Sequence, residues 1–522
     1  MPWLRPLLLT LELMSLSVIT ATVFGVVLAF CLSLIPRDRW VCRAAVLFCM
    51  IGIVGCIATP LVMHAAAWES TAGKFGWLSL SQTSARTYAG IAGRYTGFVA
   101  SVWIHSLFGS SLVALATLFG TSRIAPSVIE SSRFDGGPIW TWWRVRLPLA
   151  RNWVVASALA TAVLAASEMT VVDLYGVRTI ADEFYLFYVV DPSLMSVLML
   201  LVLPCVIGIT LISILLFRLC RVLDARLIDQ QHRSECENDN RFTREVNLPI
   251  RAIAFLFAVG YSSLLFAFPL TGIVIKVGQQ TTVEQVAGES VVQVHWSALR
   301  TAEVLSRALR EFSSEYQTTL VIASMTGVLC VSVAWCLVSL SQVRTWMRPL
   351  LDGATLALFL IPGPLIGLVL VRFFTLPIPG FSALYQQTLI PTLLALSVRA
   401  LPVSYWVLRA AYLGLDSQIK DASQMDFGWA SRLWCVERPL LFRSLIIAFV
   451  GSAIVSSGDV PASMPVIPPG VATVGTRLFG LLHSGARYQE ASLAFWYLLF
   501  VVVAAILLVR HRGRRPNGGA RW

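Results

Sequence analysis

The sequence predicts an all-α integral membrane protein, and three observations carry that prediction. Of its 522 residues, 57% are hydrophobic and only 13% charged, with a mean hydropathy of +0.74. A soluble chain of this length would need more charge to cover its surface. Apolar runs of about 20 residues, enough to cross a bilayer as a helix, recur along the whole chain. Arginines gather in alternate connections between those runs, as they do in loops retained on the cytoplasmic side. The net charge of +12 is then ordinary topogenic charge and does not point to nucleic acid.

Eleven spans follow from the apolar runs. In the first part they lie at roughly 9–34, 43–66, 97–119, 151–169 and 193–217; in the second, at roughly 250–275, 318–340, 350–373, 388–412, 444–461 and 491–510. If they simply alternate, Arg37, Arg39 and Arg43 share one side with Arg123, Arg133, Arg144, Arg146 and Arg151. Arg218 to Arg244, Arg344, Arg348 and the tail arginines Arg510 to Arg515 join them, which makes that side, and the carboxyl terminus, cytoplasmic. The opposite loops, roughly 67–96, 170–192, 276–317, 374–387 and 462–490, are poorer in arginine.

The stretch Leu219–Asn247 is polar and without apolar periodicity, so it reads as a cytoplasmic linker between residues 1–218 and 248–522. Segment 278–317 carries Glu284, Glu289, Glu303, Glu311 and Glu315 among intermittent apolar residues. It forms either a short amphipathic helix outside the bilayer or a solvated loop. The span at 250–275 has no counterpart in the first part, which has either lost it or begins further upstream. Eleven spans place the amino terminus opposite the tail. The first run is too long for a cleavable signal. The ten cysteines include no CxxC pair and read as packing fillers in helices.

The sharpest signal is an internal repeat. Glu130, Ser131, Ser132, Asp135, Gly136 and Gly137 are followed by Trp143, Val145, Pro148 and Leu149. Asp421, Ala422, Ser423, Asp426, Phe427 and Gly428 are followed by Trp434, Val436, Pro439 and Leu440. A constant offset of 291 residues superposes the two, over 130–149 and 421–440, and each lies in an arginine-side loop. An acidic residue followed by small ones would open a short helix, where negative charge is favourable. Glycine would allow a tight turn or a close approach to a partner, and proline would stop the helix before the next span.

This loop resembles the EAA motif of binding-protein-dependent ABC importer permeases, the coupling helix that sits in a groove of the ATP-binding subunit. Ser131 and Ser132 stand where that motif has alanines, Phe427 stands at its usual glycine, and both copies reach proline one residue early. Segments 166–177 (ASEMTVVDLYGV) and 458–470 (GDVPASMPVIPPG), with Val398, Arg399 and Pro402, are similar to fused iron(III)-type permeases. The resemblance implies two homologous permease halves with the type I ABC importer transmembrane fold, in a multi-pass protein of the cell inner membrane. It implies two copies of an ATP-binding cassette subunit and a periplasmic or lipid-anchored substrate-binding protein as partners. Ferric iron is the first expected substrate; thiamine or a polyamine is the alternative within the class. An ion-coupled secondary transporter is the alternative outside it.

Glu168 and Asp459 are related by the same offset, each near the end of a span opposite the arginines. They would either steer a cation inward or cap helix ends through loop backbone. Arg399, deeper in its span, would pair with a carboxylate or serve packing. The six histidines form no cluster, so no metal site is expected, and no cofactor. No phosphate-binding GxxxxGK[ST] loop occurs, so the chain is not expected to be an enzyme, and ATP hydrolysis would belong to a separate partner.

Overall fold

The computed structural model describes residues 4–72, 96–124, 126–183, 246–286, 289–415, 417–484 and 488–513, with helical positions at 186, 208, 211, 215 and 218. The expected span at 193–217, nearly all of the linker, most of the loop at 67–96 and the final arginines otherwise lie outside the described residues.

Helix α1 (Leu4–Ser33) is followed by α2 (Trp40–Ala58) and α3 (Leu61–Ala72). Next, α4 (Thr96–Thr121) leads to α5 (Pro126–Thr141), a π-helical turn at Trp142–Arg146, α6 (Leu147–Ser167) and the short α7 (Thr170–Leu174). Further along, α8 (Leu248–Ser262), a π-turn at Ser263–Ala267 and α9 (Phe268–Gly278) run as one span. An antiparallel hairpin of β1 (Gln279–Val286) and β2 (Glu289–Trp296) precedes α10 (Ala298–Glu311). The second part continues with α11 (Ser313–Val343), α12 (Met347–Leu360), α13 (Gly363–Phe374), α14 (Phe381–Gln387) and α15 (Ile390–Leu413). Then come α16 (Ser417–Asp426), α17 (Trp429–Arg432), a π-turn at Leu433–Glu437, α18 (Arg438–Gly458), α19 (Val460–Ser463), α20 (Val474–Ser484) and α21 (Gln489–Gly513).

The chain is thus a helical, multi-pass membrane protein. Among the described residues, eight helices are long and apolar enough to cross a bilayer, nine if a bent pair counts as one span. Two expected straight spans are broken. The run at 43–66 parts at Thr59–Pro60, and the run at 350–373 parts at Ile361–Pro362, where α12 and α13 meet at 98°. Proline has no N–H to donate and its ring crowds the preceding turn, so an apolar run containing it does not guarantee a straight helix. The segment at 278–317 is part hairpin and part amphipathic helix; Ser297 caps α10 by accepting from Arg300 N at 3.4 Å.

Proline also explains the π-turns, and corrects one expectation. Pro148, Pro269 and Pro439 each stand two residues beyond a π-turn and do not end a helix; each lies in the first turn of a long one. Inside a regular α-helix, the proline ring would collide with the carbonyl four residues earlier, on Arg144, Leu265 or Cys435. Those residues lie in the widened turns, which accommodate the ring without breaking the span.

Helices α1, α4 and α6 pack together, as do α11, α15 and α18. Small residues bring them close: a side chain on Gly109 would strike Ala21 and Thr161. The two sets meet where Val163 of α6 clusters with Leu356 and Leu360 of α12 and with Trp406 of α15. Gly458, at the end of α18, leaves no room for a side chain against Pro60, between α2 and α3. Helix α21 lies against α2, α3 and α9.

Candidate functional site

The repeated loops have the same local form at the arginine-rich end. Helices α5 and α16 begin at positions related by the offset, four residues before the acidic residue expected to open them. Ser132 and Ser423 turn inward and are buried. Ser132 Oγ donates to Ile129 O at 2.8 Å, and Phe427 N donates to Ser423 O at 3.2 Å. Glu130, Ser131, Asp135, Gly136, Ala422, Asp426 and Gly428 are exposed; the side chain of Asp421 lies outside the described residues. Between them project Phe134 and Met425, 92% and 86% exposed, at equivalent positions. These are long apolar side chains offered to the surroundings by both loops.

The glycines differ. Gly137 has φ +73°, a left-handed conformation that kinks α5 and that a side chain would strain. Gly428 (φ −63°, ψ 159°) has ordinary extended backbone and open space around it. Gly136 sits against the Trp140 ring.

Behind each loop the π-turn is anchored differently. In the first, Trp142 is buried and its ring lies 4.8 Å from that of Phe30. In the second, the buried Glu437 carboxylate accepts from Arg432 Nε at 2.9 Å, from Ser339 Oγ at 3.0 Å and from Tyr412 OH. It ties the turn to α11, α15 and α17. A second buried cluster lies nearby: Asp352 of α12 accepts from Tyr405 OH at 2.6 Å and pairs with Arg409 Nε at 3.3 Å, both on α15. Neither cluster was foreseen. Asp352 stood in an expected span opposite an arginine in another, the kind of signal that intramembrane charge provides. Glu437 occupies the position of Arg146 in the repeat, which hid its role.

At the opposite end lie Glu168 and Asp459, at the ends of α6 and α18. Each is the first residue beyond its long helix, and each carboxylate caps the short helix that follows. Glu168 accepts from Thr170 N at 2.7 Å, Val171 N at 2.9 Å and Thr170 Oγ1. Asp459 accepts from Ala462 N at 3.2 Å and from Arg399 Nε at 2.9 Å. Arg399 also donates Nη1 to Phe359 O (3.3 Å) and Ile361 O (3.1 Å), the carbonyls freed where α12 breaks. In the first repeat His105 of α4 stands beside Glu168, although the offset pairs it with Leu396, one turn before Arg399. Its Nε2 lies 3.8 Å from Glu168 Oε2, and its Nδ1 lies 2.7 Å from Ser101 O.

Further out, Asp173 of α7 meets His483 of α20 at 3.2 Å. That hydrogen bond raises the histidine pKa. Burial, reinforced by Asp173 and Glu183, pushes Asp182 up to about 7. Among the described residues no three His, Cys, Asp or Glu side chains are grouped to hold a metal ion. Comparison of the chain with models of known protein families gives no match, and comparison with curated proteins gives none either.

Proposed function

We propose that the chain is the membrane permease of an ATP-driven, binding-protein-dependent importer, with both permease halves in one polypeptide. The observation that carries this reading is the pair of loops at the arginine-rich end. Each presents one long apolar side chain, Phe134 or Met425, at the same place in the repeat, and each runs into a long apolar helix. A surface duplicated in this way fits a partner that binds twice, and two ATP-binding cassette subunits are such a partner. Their closure on ATP would draw the loops together and open a cavity between the helix sets away from the arginine-rich side. A loaded binding protein would discharge there, and hydrolysis would return the cavity inward.

Asp459 is paired and Glu168 is engaged in capping, which favours a pathway whose selectivity resides mainly in the delivering protein. Ferric iron remains the first substrate to test, then thiamine and polyamines. The experiment is co-expression with ATP-binding cassette and substrate-binding subunits of importers of this class, starting with any that neighbouring genes encode. A stable complex and ATP-dependent uptake into vesicles are expected, and Phe134→Glu with Met425→Glu should release the ATPase while the chain stays folded. Failure of the native chain to bind either partner would overturn the reading.

One observation favours an ion-coupled transporter: the 98° break between α12 and α13, with Arg399 and Asp459 beside it, has the form of a discontinuous helix at an ion site. Uptake driven by an ion gradient alone, without ATP or an ATPase, would select it.

A further inference from the structure

We infer that α10 lies in the interfacial layer of the bilayer at the arginine-poor end, one flank against acyl chains and the other among the phosphate headgroups. This rests on the membrane-spanning character of the chain and not on what it transports. Helix α10 rests on α9 and α21, with Thr301, Val304, Leu305 and Ala308 turned toward them. At 3.6 residues per turn two exposed flanks remain. Ala298, Ala302 and Leu309 form one; Glu303, Arg307 and Glu311, with the half-buried Arg300, form the other, and Leu299, Ser306 and Arg310 lie between them.

Helix α21 shows which flank is deeper. Two residues of the charged flank meet its outermost part. The Arg300 guanidinium lies 4.8 Å above the Tyr488 ring, and Glu311 accepts from Gln489 Nε2 at 3.2 Å. Trp496, about two turns further along α21, donates Nε1 to Leu305 O at 3.0 Å. The side of α10 nearest Trp496 is therefore level with the apolar stretch 489–504 of α21, and the arginines are level with its start.

The uncovered apolar groups fit that depth. Leu309, on the deeper flank, is 42% exposed. Trp296, 52% exposed where the hairpin ends, is an interfacial residue type. Arginine keeps its head among phosphates while its stem covers apolar surface. Lipid is the occupant because the apolar flank lies beside the apolar stretch of α21, on which Leu499, Phe500 and Val503 are exposed.

Nitroxide labels at single cysteines test this: Ala302→Cys and Leu309→Cys on one flank, Glu303→Cys and Arg307→Cys on the other. The full-length chain, with its native cysteines replaced by alanine, is placed in phosphatidylethanolamine–phosphatidylglycerol vesicles. Collisions with oxygen should dominate at 302 and 309, and collisions with a water-soluble nickel complex at 303 and 307, a reversal of the ratio between flanks. A label at Val503→Cys, on exposed α21 surface, reports the acyl region whatever α10 does. Nickel collisions at all four α10 sites with oxygen at 503 would overturn the inference and leave the flank free for a protein partner.

Discussion

Single residues in the repeat do different work despite their matched positions. Gly137→Arg would strain a left-handed backbone whatever binds there, so Gly428→Arg is the cleaner probe of docking. Gly428→Arg should leave expression and melting unchanged while abolishing ATPase co-purification; wild-type recovery of the ATPase with this variant would separate Gly428 from the contact. His483 and Asp182 set a pH dependence of the same sign. A histidine with a raised pKa stabilises fully below its unfolded value of about 6.5 and loses that contribution as pH rises through the folded value. An aspartate raised to about 7 favours the folded state at low pH and loses that effect between its unfolded value of about 4 and the folded one. Thermal melting in detergent should therefore fall between pH 4 and 8, with a shallower slope below about 7 in Asp182→Asn and above about 6.5 in His483→Gln. The exposure of the histidine keeps its share small. Equal slopes in all three proteins would remove both groups from the account. Glu168, Asp459 and Arg399 were legible as candidates from their positions in apolar runs. Capping through loop backbone and a carboxylate partner for Arg399 were among the alternatives; which groups meet was not legible, because that depends on a helix break and on His105, which no residue spacing reveals.

At the level of elements, hydropathy located the apolar runs, while proline decided how they are shaped. The π-turns were hidden because a run such as Trp142–Pro148 reads as plain helix until the carbonyl crowded by Pro148 is considered. The hairpin at 279–296 was hidden by its position in a segment too polar for a span and too short for a domain. The second π-turn depends on Glu437. Glu437→Ala would leave Arg432 buried without its carboxylate, a change that costs about 3–5 kcal/mol in comparable sites. Glu437→Gln keeps one acceptor oxygen for Arg432 and Ser339 and turns its amide N–H to the Tyr412 hydroxyl oxygen, so it should cost less. Melting temperatures in detergent would show that order; a neutral Glu437→Ala would mean that the turn is held by packing alone.

For the whole molecule, the arginine pattern assigns opposite sides of the membrane to the two ends. Phe134→Cys and Leu299→Cys, in a background without other reactive cysteines, test that assignment. A membrane-impermeant maleimide should label position 299 in intact cells and position 134 only after lysis; the reverse order would invert the orientation, and labelling of both in intact cells would refute the topology. The paired loops and the long helices after them were readable because the offset preserves their register. The contact of α6 with α12, and of Pro60 with Gly458, was not, because it joins segments with no sequence relation. The end that holds Glu168 and Asp459 also shows what a single polypeptide permits. An assembly of two identical chains must inherit the same residue at both related positions, so any change there is made twice. Here His105 faces Glu168 while Arg399 grips Asp459 and the broken helix beside it. One mutation alters one side only, so the two sides are free to drift into separate occupations, one gripped by a guanidinium and the other facing an imidazole.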